Sequence, residues 1–278
     1  MKKFLAVLLT LGCVLSLAAC GAKTPAADPA VPAEPSAASQ WTSVTDLAGK
    51  KVAVQEGTTG NDVATAIDAE VSAFKAATAC ALELLNGRVD CVIIDSNPAQ
   101  ALVNANSDKL MLLSFPASEE NETYAIATKK TDEGAALAAE FSAAMKVLKD
   151  NGTFDALVSK YIAKEENVTL PELTVVAEPK ATLVMGTNCE FEPFEFLTSD
   201  GVPTGFDVDF VAYLCAELGY AVTVENMDFD ALIPALGSGR IDFIAAGLTR
   251  DAEREANANF TDGYFEATQS IIVKKYAI

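Results

Sequence analysis

The sequence predicts an α/β protein built from two similar lobes, each with a mostly parallel sheet. From residue 50 onwards, short apolar runs with the length of buried strands alternate with amphipathic helices. Residues 86–92 line up with residues 238–244, and both segments connect the end of a helix to a strand. The chain has 278 residues, which is enough for two lobes of roughly 100 residues each. These three observations together favour two related lobes over a single small domain.

The individual elements follow from hydrophobic spacing and from helix-ending residues such as Asn-Gly and Gly-Ser-Gly. In the first half, strands are predicted at 51–55 and 89–94, and helices at 63–69 and 80–85. In the second half, strands are predicted at 182–187 and 241–246, and helices at 208–218 and 229–236. Helical patterns at 137–148 and 154–162 lie between the halves, and the charged, proline-containing segment 164–180 is interpreted as a linker.

The N-terminus resembles a bacterial lipoprotein signal peptide. Two lysines precede an apolar run over 4–17, and a Leu-Ala-Ala-Cys sequence ends at Cys20. A true membrane span would need about 20 apolar residues, more than this run supplies. We therefore expect a signal peptide over 1–19, lipidation of Cys20, and attachment to the extracytoplasmic face of the cell membrane. Residues 20–40 are rich in alanine, proline and serine and predict a flexible tether.

Composition excludes several classes of function. The chain carries 20 basic and 39 acidic residues, a net charge of −19, which argues against nucleic-acid binding. It contains no histidine, so it has no Ser-His-Asp triad and no histidine-ligated metal. The body contains no Cys-x-x-Cys pair, which argues against a zinc site, so we expect no bound metal. We also expect no cofactor. Its four cysteines are either buried thiols or include a Cys80–Cys91 disulfide, and the sequence leaves both options open.

Two blocks of residues carry a resemblance to a known family. The first block contains Gly-Thr-Asn-Cys-Glu-Phe-Glu-Pro-Phe at 186–194, Gly-Phe-Asp-Val-Asp at 205–209, Asp-Phe-Asp-Ala-Leu-Ile-Pro at 228–234, Gly-Leu-Thr at 247–249 and Glu-Arg at 253–254. The second contains 46–52, Gly-Thr-Thr-Gly at 57–60, 90–95 and 150–154. Together they resemble the polar-amino-acid family (family 3) of extracellular solute-binding proteins of ABC importers. The resemblance implies a type II periplasmic-binding-protein-like fold, an amino acid held between two lobes, an ABC permease as partner, and no enzymatic activity.

The order of the two blocks is the reverse of the order in that family, which implies a circular permutation. The second lobe would comprise 41–126 and the first lobe 127–278, with closing helices at 127–163, a linker at 164–180 and the lobe core at 181–278. We expect the new ends to interrupt one hinge strand, which leaves residues 124–127 as the only covalent crossover between the lobes. A remnant of a tandem duplication and a swapped dimer remain alternatives.

The resemblance also implies a set of ligand-binding residues. Arg254 would grip the α-carboxylate with its two-pronged guanidinium, and Thr58 and Thr59 would hold the same group from the start of a helix in the other lobe. Asp95 would accept the ammonium. Each has a simpler interpretation, because Arg254 lies in a charged run and the other three also fit helix caps.

The remaining predicted contacts come from the first lobe. Thr249 and the backbone of Gly247 would bind the main-chain groups of the ligand, and Phe191 and Phe229 would sandwich its side chain. Asn188 stands where relatives selective for basic ligands often have aspartate, so we expect a neutral or polar amino acid.

Two other functions are compatible with the sequence. A few dehydratases share the fold, although an enzyme needs a catalytic acid or base, and Asp95 and Glu190 are only weak candidates. The permuted lobes could also form an interaction module that binds no amino acid. Ligand-dependent stabilisation and a product assay distinguish these alternatives.

Overall fold

Strands and helices alternate along residues 41–275, the part of the chain that the computed structural model describes. The strands are β1 Lys51–Gln55, β2 Glu70–Phe74, β3 Cys91–Asp95, β4 Leu110–Leu112, β5 Glu122–Tyr124, β6 Ala127–Lys129, β7 Thr182–Thr187, β8 Glu190–Phe191, β9 Glu195–Leu197, β10 Pro203–Thr204, β11 Ala221–Asn226, β12 Phe243–Ile244, β13 Ala258–Phe260, β14 Phe265–Ala267 and β15 Gln269–Lys274. The helices are α1 Thr59–Ala66, α2 Ala77–Leu85, α3 Ser96–Ala105, α4 Asp132–Asp150, α5 Thr153–Leu157, α6 Phe206–Leu218, α7 Leu232–Ser238 and α8 Ala252–Asn257. The predicted signal peptide, Cys20 and the tether lie outside the described residues.

Two five-stranded sheets form the centres of the two lobes. The second lobe contains the sheet β2-β1-β3-β15-β4, and the first lobe contains the sheet β11-β7-β12-β6-β13. Three neighbouring strands in each sheet run parallel, β2-β1-β3 and β11-β7-β12, and the strand beside them runs antiparallel. Helices connect the parallel strands, as expected for crossover connections. The predicted two-lobed α/β fold is confirmed.

Two segments of the chain pass between the lobes, and both are covalently continuous. The first leads from β4 through β5 into β6, and the second leads from β13 through β14 into β15. The crossovers pair with each other, because β14 runs antiparallel to β5 with Phe265 opposite Tyr124. The expectation that residues 124–127 form the only covalent crossover is therefore wrong.

Strand β15 is the reason for that difference. Its apolar residues Ile271, Ile272 and Val273 are buried in the second lobe, where the strand pairs with both β3 and β4. The lobe boundaries predicted from the sequence place these residues in the core of the first lobe, at 181–278, because nothing in the sequence marks where the chain leaves that lobe. The other proposed boundaries stay predictions. Between Ile162 and Thr182 the chain forms neither helix nor strand.

The two ends of the described chain pack on the same lobe. Trp41 and Val44 lie against the second-lobe cluster that contains Ile271 and Val273. At the other end, the amide of Lys275 donates to the main-chain oxygen of Lys109 next to β4. The ends therefore meet the second lobe rather than the hinge.

The four body cysteines are buried free thiols, so the described residues contain no Cys80–Cys91 disulfide. Burial raises the pKa of Cys80, Cys91 and Cys215 to about 12, which makes them unreactive filler of the cores. Among residues 41–275, no helix combines the length and apolar character that a membrane crossing requires.

Candidate functional site

A small cavity between the lobes brings together eight of the predicted ligand-binding residues. They are Thr58, Thr59, Asp95, Phe191, Phe229, Gly247, Thr249 and Arg254. The cavity has a volume of about 10 Å³, close to the space that one water molecule occupies. The first three residues come from the second lobe and the other five from the first, so the cavity lies where the two lobes meet.

Arg254 reaches this cavity from the short helix α8. Asp251 caps the helix, since its side chain accepts from the Arg254 amide at 2.8 Å. The guanidinium donates from Nη1 to the main-chain oxygen of Thr249 at 2.7 Å and from Nη2 to that of Gly57 at 3.0 Å. It also lies 5.7 Å from the centre of the Phe229 ring. The side chain is only 12% exposed, which argues against the interpretation of Arg254 as an ordinary surface charge.

The loop opposite Arg254 leads directly into helix α1. Thr58 is the residue before the helix, and its hydroxyl donates to the main-chain oxygen of Gln55 at 2.8 Å instead of capping the helix. Gly60 lies against β3, and a Cβ there would come within 3.1 Å of the Ile93 oxygen. The first amide groups of α1 therefore remain available to an anion in the cavity.

Asp95 ends β3 and is 4% exposed. Its Oδ1 accepts from the hydroxyl of Tyr124 at 2.7 Å, and its side chain makes no capping bond to helix α3. Burial, together with the negative charge of Glu122, raises the pKa of Asp95 to about 7. A cation entering the cavity would restore the charged form of this carboxyl group.

Glu122 occupies a central position that the sequence did not reveal. Its Oε2 accepts from the hydroxyls of Thr59 at 2.8 Å and of Thr249 at 2.6 Å, and so links groups from both lobes. Its Oε1 accepts from Gln269 at 3.0 Å. Glu122 and Gln269 begin strands of the two crossovers, and only the pairing of those distant segments could have identified them.

Gly247 is held in a backbone conformation that favours glycine, with φ of +53°. A Cβ at this position would lie 2.7 Å from the Phe191 ring. The Gly247 amide donates to Asp207 Oδ2 at 2.8 Å. The close approach of this backbone to Phe191 therefore depends on the absence of a side chain.

Asn188 does not line the cavity. Its side-chain oxygen accepts from Gln55 at 2.8 Å across the lobes, and its amide nitrogen donates to the Met227 main-chain oxygen at 2.8 Å. Gln55 is 2% exposed, and its own Oε1 has no partner among the described residues. Nearby, Lys75 of the second lobe pairs with Asp230 of the first at 2.7 Å. This end of the cleft is polar and contributes several contacts between the lobes.

Comparison with known proteins gives matches that each cover about a third of the chain. The chain is 38% identical over 96 residues to the arginine-binding extracellular protein ArtP of Bacillus subtilis (strain 168), covering 34% of this chain and 37% of the relative. It is 35% identical over 99 residues to a probable histidine-binding protein of Neisseria gonorrhoeae, covering 36% and 37%. The chain thus matches well under half of the length of these relatives.

A solved structure also matches about a third of the chain. The crystal structure of the arginine-bound form of domain 1 from TmArgBP shares 36% identity, with 34% of this chain and 80% of that chain covered and a TM-score of 0.30. Residues 183–277 also match the family model described as bacterial extracellular solute-binding proteins, family 3. This segment, about one third of the chain, is therefore similar to the extracellular solute-binding proteins of that family.

Proposed function

We propose that the protein is a lipid-anchored extracytoplasmic receptor that binds a free amino acid between its lobes and delivers it to an ABC permease. The observation that carries the proposal is the convergence of Arg254, the N-terminus of α1 and Asp95 on one cavity between the lobes. An anion-binding fork, a helix N-terminus and a carboxylate match the two charged groups that every free amino acid presents.

The chemistry of binding follows from these contacts. The ligand carboxylate would take the place of the Gly57 oxygen on Arg254 Nη2, and the ligand ammonium would pair with Asp95. A cavity of about 10 Å³ is far too small for an amino acid. The lobes must therefore separate to admit the ligand and close around it, with the paired strands β5 and β14 as the hinge.

We propose a cationic amino acid, with arginine first, as the ligand. This replaces the neutral or polar ligand expected from Asn188, because the relatives carry the names of arginine- and histidine-binding proteins. The charges near the cleft agree with this choice. Glu122 accepts hydrogen bonds from the cavity residues Thr59 and Thr249, and no basic side chain among the described residues pairs with it, so its carboxylate favours a positive ligand group.

Two further features of the proposal concern the organisation of the chain. The lipid anchor at Cys20 and the extracytoplasmic location rest on the sequence of the N-terminus. The circular permutation rests on the reversed order of the two blocks, and the packing of Trp41 on the same cluster as Ile271 supports it. In this arrangement the described residues next to the new ends, Trp41 and Lys275, contact the second lobe. We propose no catalytic role for Asp95 or Glu190.

Titration calorimetry with matched ligands tests the proposed function. L-arginine should bind, whereas agmatine, which lacks the carboxylate, and Nα-acetyl-arginine, which lacks the ammonium, should bind at least about tenfold more weakly. At about 100 times Kd, arginine should stabilise the folded protein by about 2.7 kcal/mol in thermal unfolding. Equal affinity for arginine and agmatine would contradict the assignment of the carboxylate site. The absence of binding by any common amino acid would overturn the proposal.

A further inference from the structure

Two acidic side chains are completely buried next to each other in the first lobe, behind the candidate site. Glu195 begins β9 and Asp207 lies in the first turn of α6, and both are 0% exposed. Glu195 Oε1 and Oε2 and Asp207 Oδ1 have no hydrogen-bond donor among residues 41–275. Buried polar atoms normally have a partner, so this group of three oxygens requires an explanation.

A proton between the two carboxyl groups supplies that explanation. Burial disfavours a negative charge on Glu195, and so do the neighbouring carboxyl groups of Asp207 and Asp95. The Cys189 thiol also faces Glu195, and its pKa is raised to about 11, so it is neutral near pH 7. Asp207 faces Glu195, the Gly247 amide and the Tyr264 hydroxyl. None of these groups is a cation, and two neighbouring carboxylates without a cation do not both ionise.

The surroundings also determine which group keeps the proton. Burial and the charge of Asp207 raise the pKa of Glu195 well above its ordinary value. The pKa of Asp207 rises only to about 6, because the Gly247 amide and the Tyr264 hydroxyl both donate to its carboxylate and oppose the effect of burial. Glu195 is therefore the neutral acid and Asp207 the charged one.

We propose that Glu195 donates its proton to Asp207, and that this acid pair is a positioning element that holds Gly247 in place for the ligand. Asp207 Oδ2 accepts from the Gly247 amide at 2.8 Å and from the Tyr264 hydroxyl at 2.7 Å. Gly247 in turn lies against Phe191 in the cavity wall. The ligand-binding part of the inference rests on the proposed function.

The acid pair also connects to the second lobe through the hinge. The Tyr264 amide donates to the Tyr124 main-chain oxygen at 2.9 Å, and the Tyr124 hydroxyl donates to Asp95 at 2.7 Å. These hydrogen bonds, together with the covalent frames of Tyr264 and Tyr124, thus join Gly247 in one wall of the cavity to Asp95 in the other. A fixed proton on Glu195 keeps these bonds in a single arrangement.

Three variants test the proposal. Glu195→Gln keeps a donor towards Asp207 but has no proton to lose, Glu195→Met removes the donor at similar volume, and Glu192→Gln is a control for the loss of one carboxylate on the same hairpin. At neutral pH, the Gln variant and the control should bind arginine within about threefold of the wild type, and the Met variant at least about tenfold more weakly.

Unfolding as a function of pH provides a readout that a purely structural role would not change. Because Glu195 keeps its proton when folded and loses it near its ordinary pKa of 4.5 when unfolded, rising pH favours the unfolded wild type. Between about pH 5 and about pH 8, the unfolding constant of the wild type should therefore increase relative to that of Glu195→Gln by up to about tenfold per pH unit.

Each result is decisive. Equal loss of binding in the Gln and Met variants, or wild-type binding in both, would overturn the positioning role. A constant difference between wild type and Glu195→Gln across the pH range would overturn the shared proton. If the wild type binds no amino acid, the proposed function fails, and the unfolding measurements still test the acid pair. If Glu195→Met fails to fold, the unfolding measurements on the wild type and Glu195→Gln still test the acid pair.

Discussion

Arg254 and Gly57 join the two lobes through a hydrogen bond of 3.0 Å from the guanidinium Nη2 to the main-chain oxygen. Arg254 belongs to α8 of the first lobe, whereas Gly57 precedes α1 of the second. The resemblance noted in the sequence implied that Arg254 and the neighbouring residues Thr58 and Thr59 hold a ligand carboxylate from opposite lobes. Under the proposed function, the ligand carboxylate would separate Arg254 from the Gly57 oxygen and exchange the bond between the lobes for two bonds to the ligand.

Replacement of Arg254 by alanine should abolish measurable arginine binding. The side chain is 12% exposed, and removal of one partner from a desolvated ion pair typically costs about 2–5 kcal/mol. Arg254→Lys should also bind weakly, because an ammonium cannot make two parallel bonds. Calorimetry measures the loss. Arg240→Ala is the control, since Arg240 is 61% exposed and pairs with Glu225. Unchanged affinity in Arg254→Ala would remove Arg254 from the site.

Arginine affinity should depend on pH through Asp95. The pKa of Asp95 is raised to about 7, so below about pH 7 the protonated form must lose its proton before it can pair with the ammonium. Affinity should therefore fall by up to about tenfold per pH unit below that value and be constant just above it. Asp95→Asn should bind more weakly and show no such dependence. A wild-type profile that is flat from about pH 5 to about pH 8 would contradict this assignment.

The same shift has the opposite consequence for the free protein. Because the folded pKa of Asp95 lies above the ordinary value of 3.8, its contribution to stability is fully present below about pH 4 and is lost as pH rises to about 7. Denaturant titration of wild type and Asp95→Asn over this range measures the difference. A stability gap that stays constant with pH would show that Asp95 ionises normally.

Gly247→Ala should weaken ligand binding. A side chain there is strained at φ of +53° and would approach the Phe191 ring to 2.7 Å. We expect a cost of about 1–3 kcal/mol, divided between stability and affinity. Gly237→Ala is the matched control, since Gly237 lies in helix α7 with open space around its Cα. That variant should be neutral or slightly stabilising. Wild-type binding and stability in Gly247→Ala would disprove the argument.

A rearranged chain tests the permutation. Joining residue 278 to residue 41 with a short flexible linker, and opening the chain within 164–179, should give a protein that binds arginine with an affinity close to that of the original. The new break falls in a segment without helix or strand, and Trp41 and Lys275, the described residues at or near the ends to be joined, pack on the same lobe. Monomeric mass and calorimetry provide the readouts. Loss of folding in the rearranged chain would contradict the inferred position of the ends.

How much of the candidate site the sequence could predict depends on whether a residue is placed by its sequence neighbours or by pairing with distant parts of the chain. Arg254, Thr58 and Asp95 each occupy a local setting, next to a strand end or a helix start, that the chain specifies within a few residues. Glu122 and Gln269 gain their roles only because β5 and β14–β15 lie side by side. Pairing between segments more than 100 residues apart leaves no periodic signal, so these residues were missed.

The lobe to which β15 belongs could not be predicted from the sequence for a similar reason. The alternation of strands and helices predicted both lobes, because the spacing of apolar residues within each strand or helix reflects which of its faces is buried. Strand β15 has such a pattern, but an apolar run does not specify which of two similar sheets it enters. Only the observed pairing of Ile271 with Ile93 assigns it to the second lobe.

The position of β15 has a consequence for how the protein assembles during synthesis. The strand lies between β3 and β4 in the interior of its sheet, yet the ribosome makes it after every other strand of both lobes. The first lobe is encoded without interruption from β6 to β13 and can fold as soon as that segment emerges. The second lobe lacks an interior strand of its sheet, and exposes the edges of β3 and β4, until β15 has been translated.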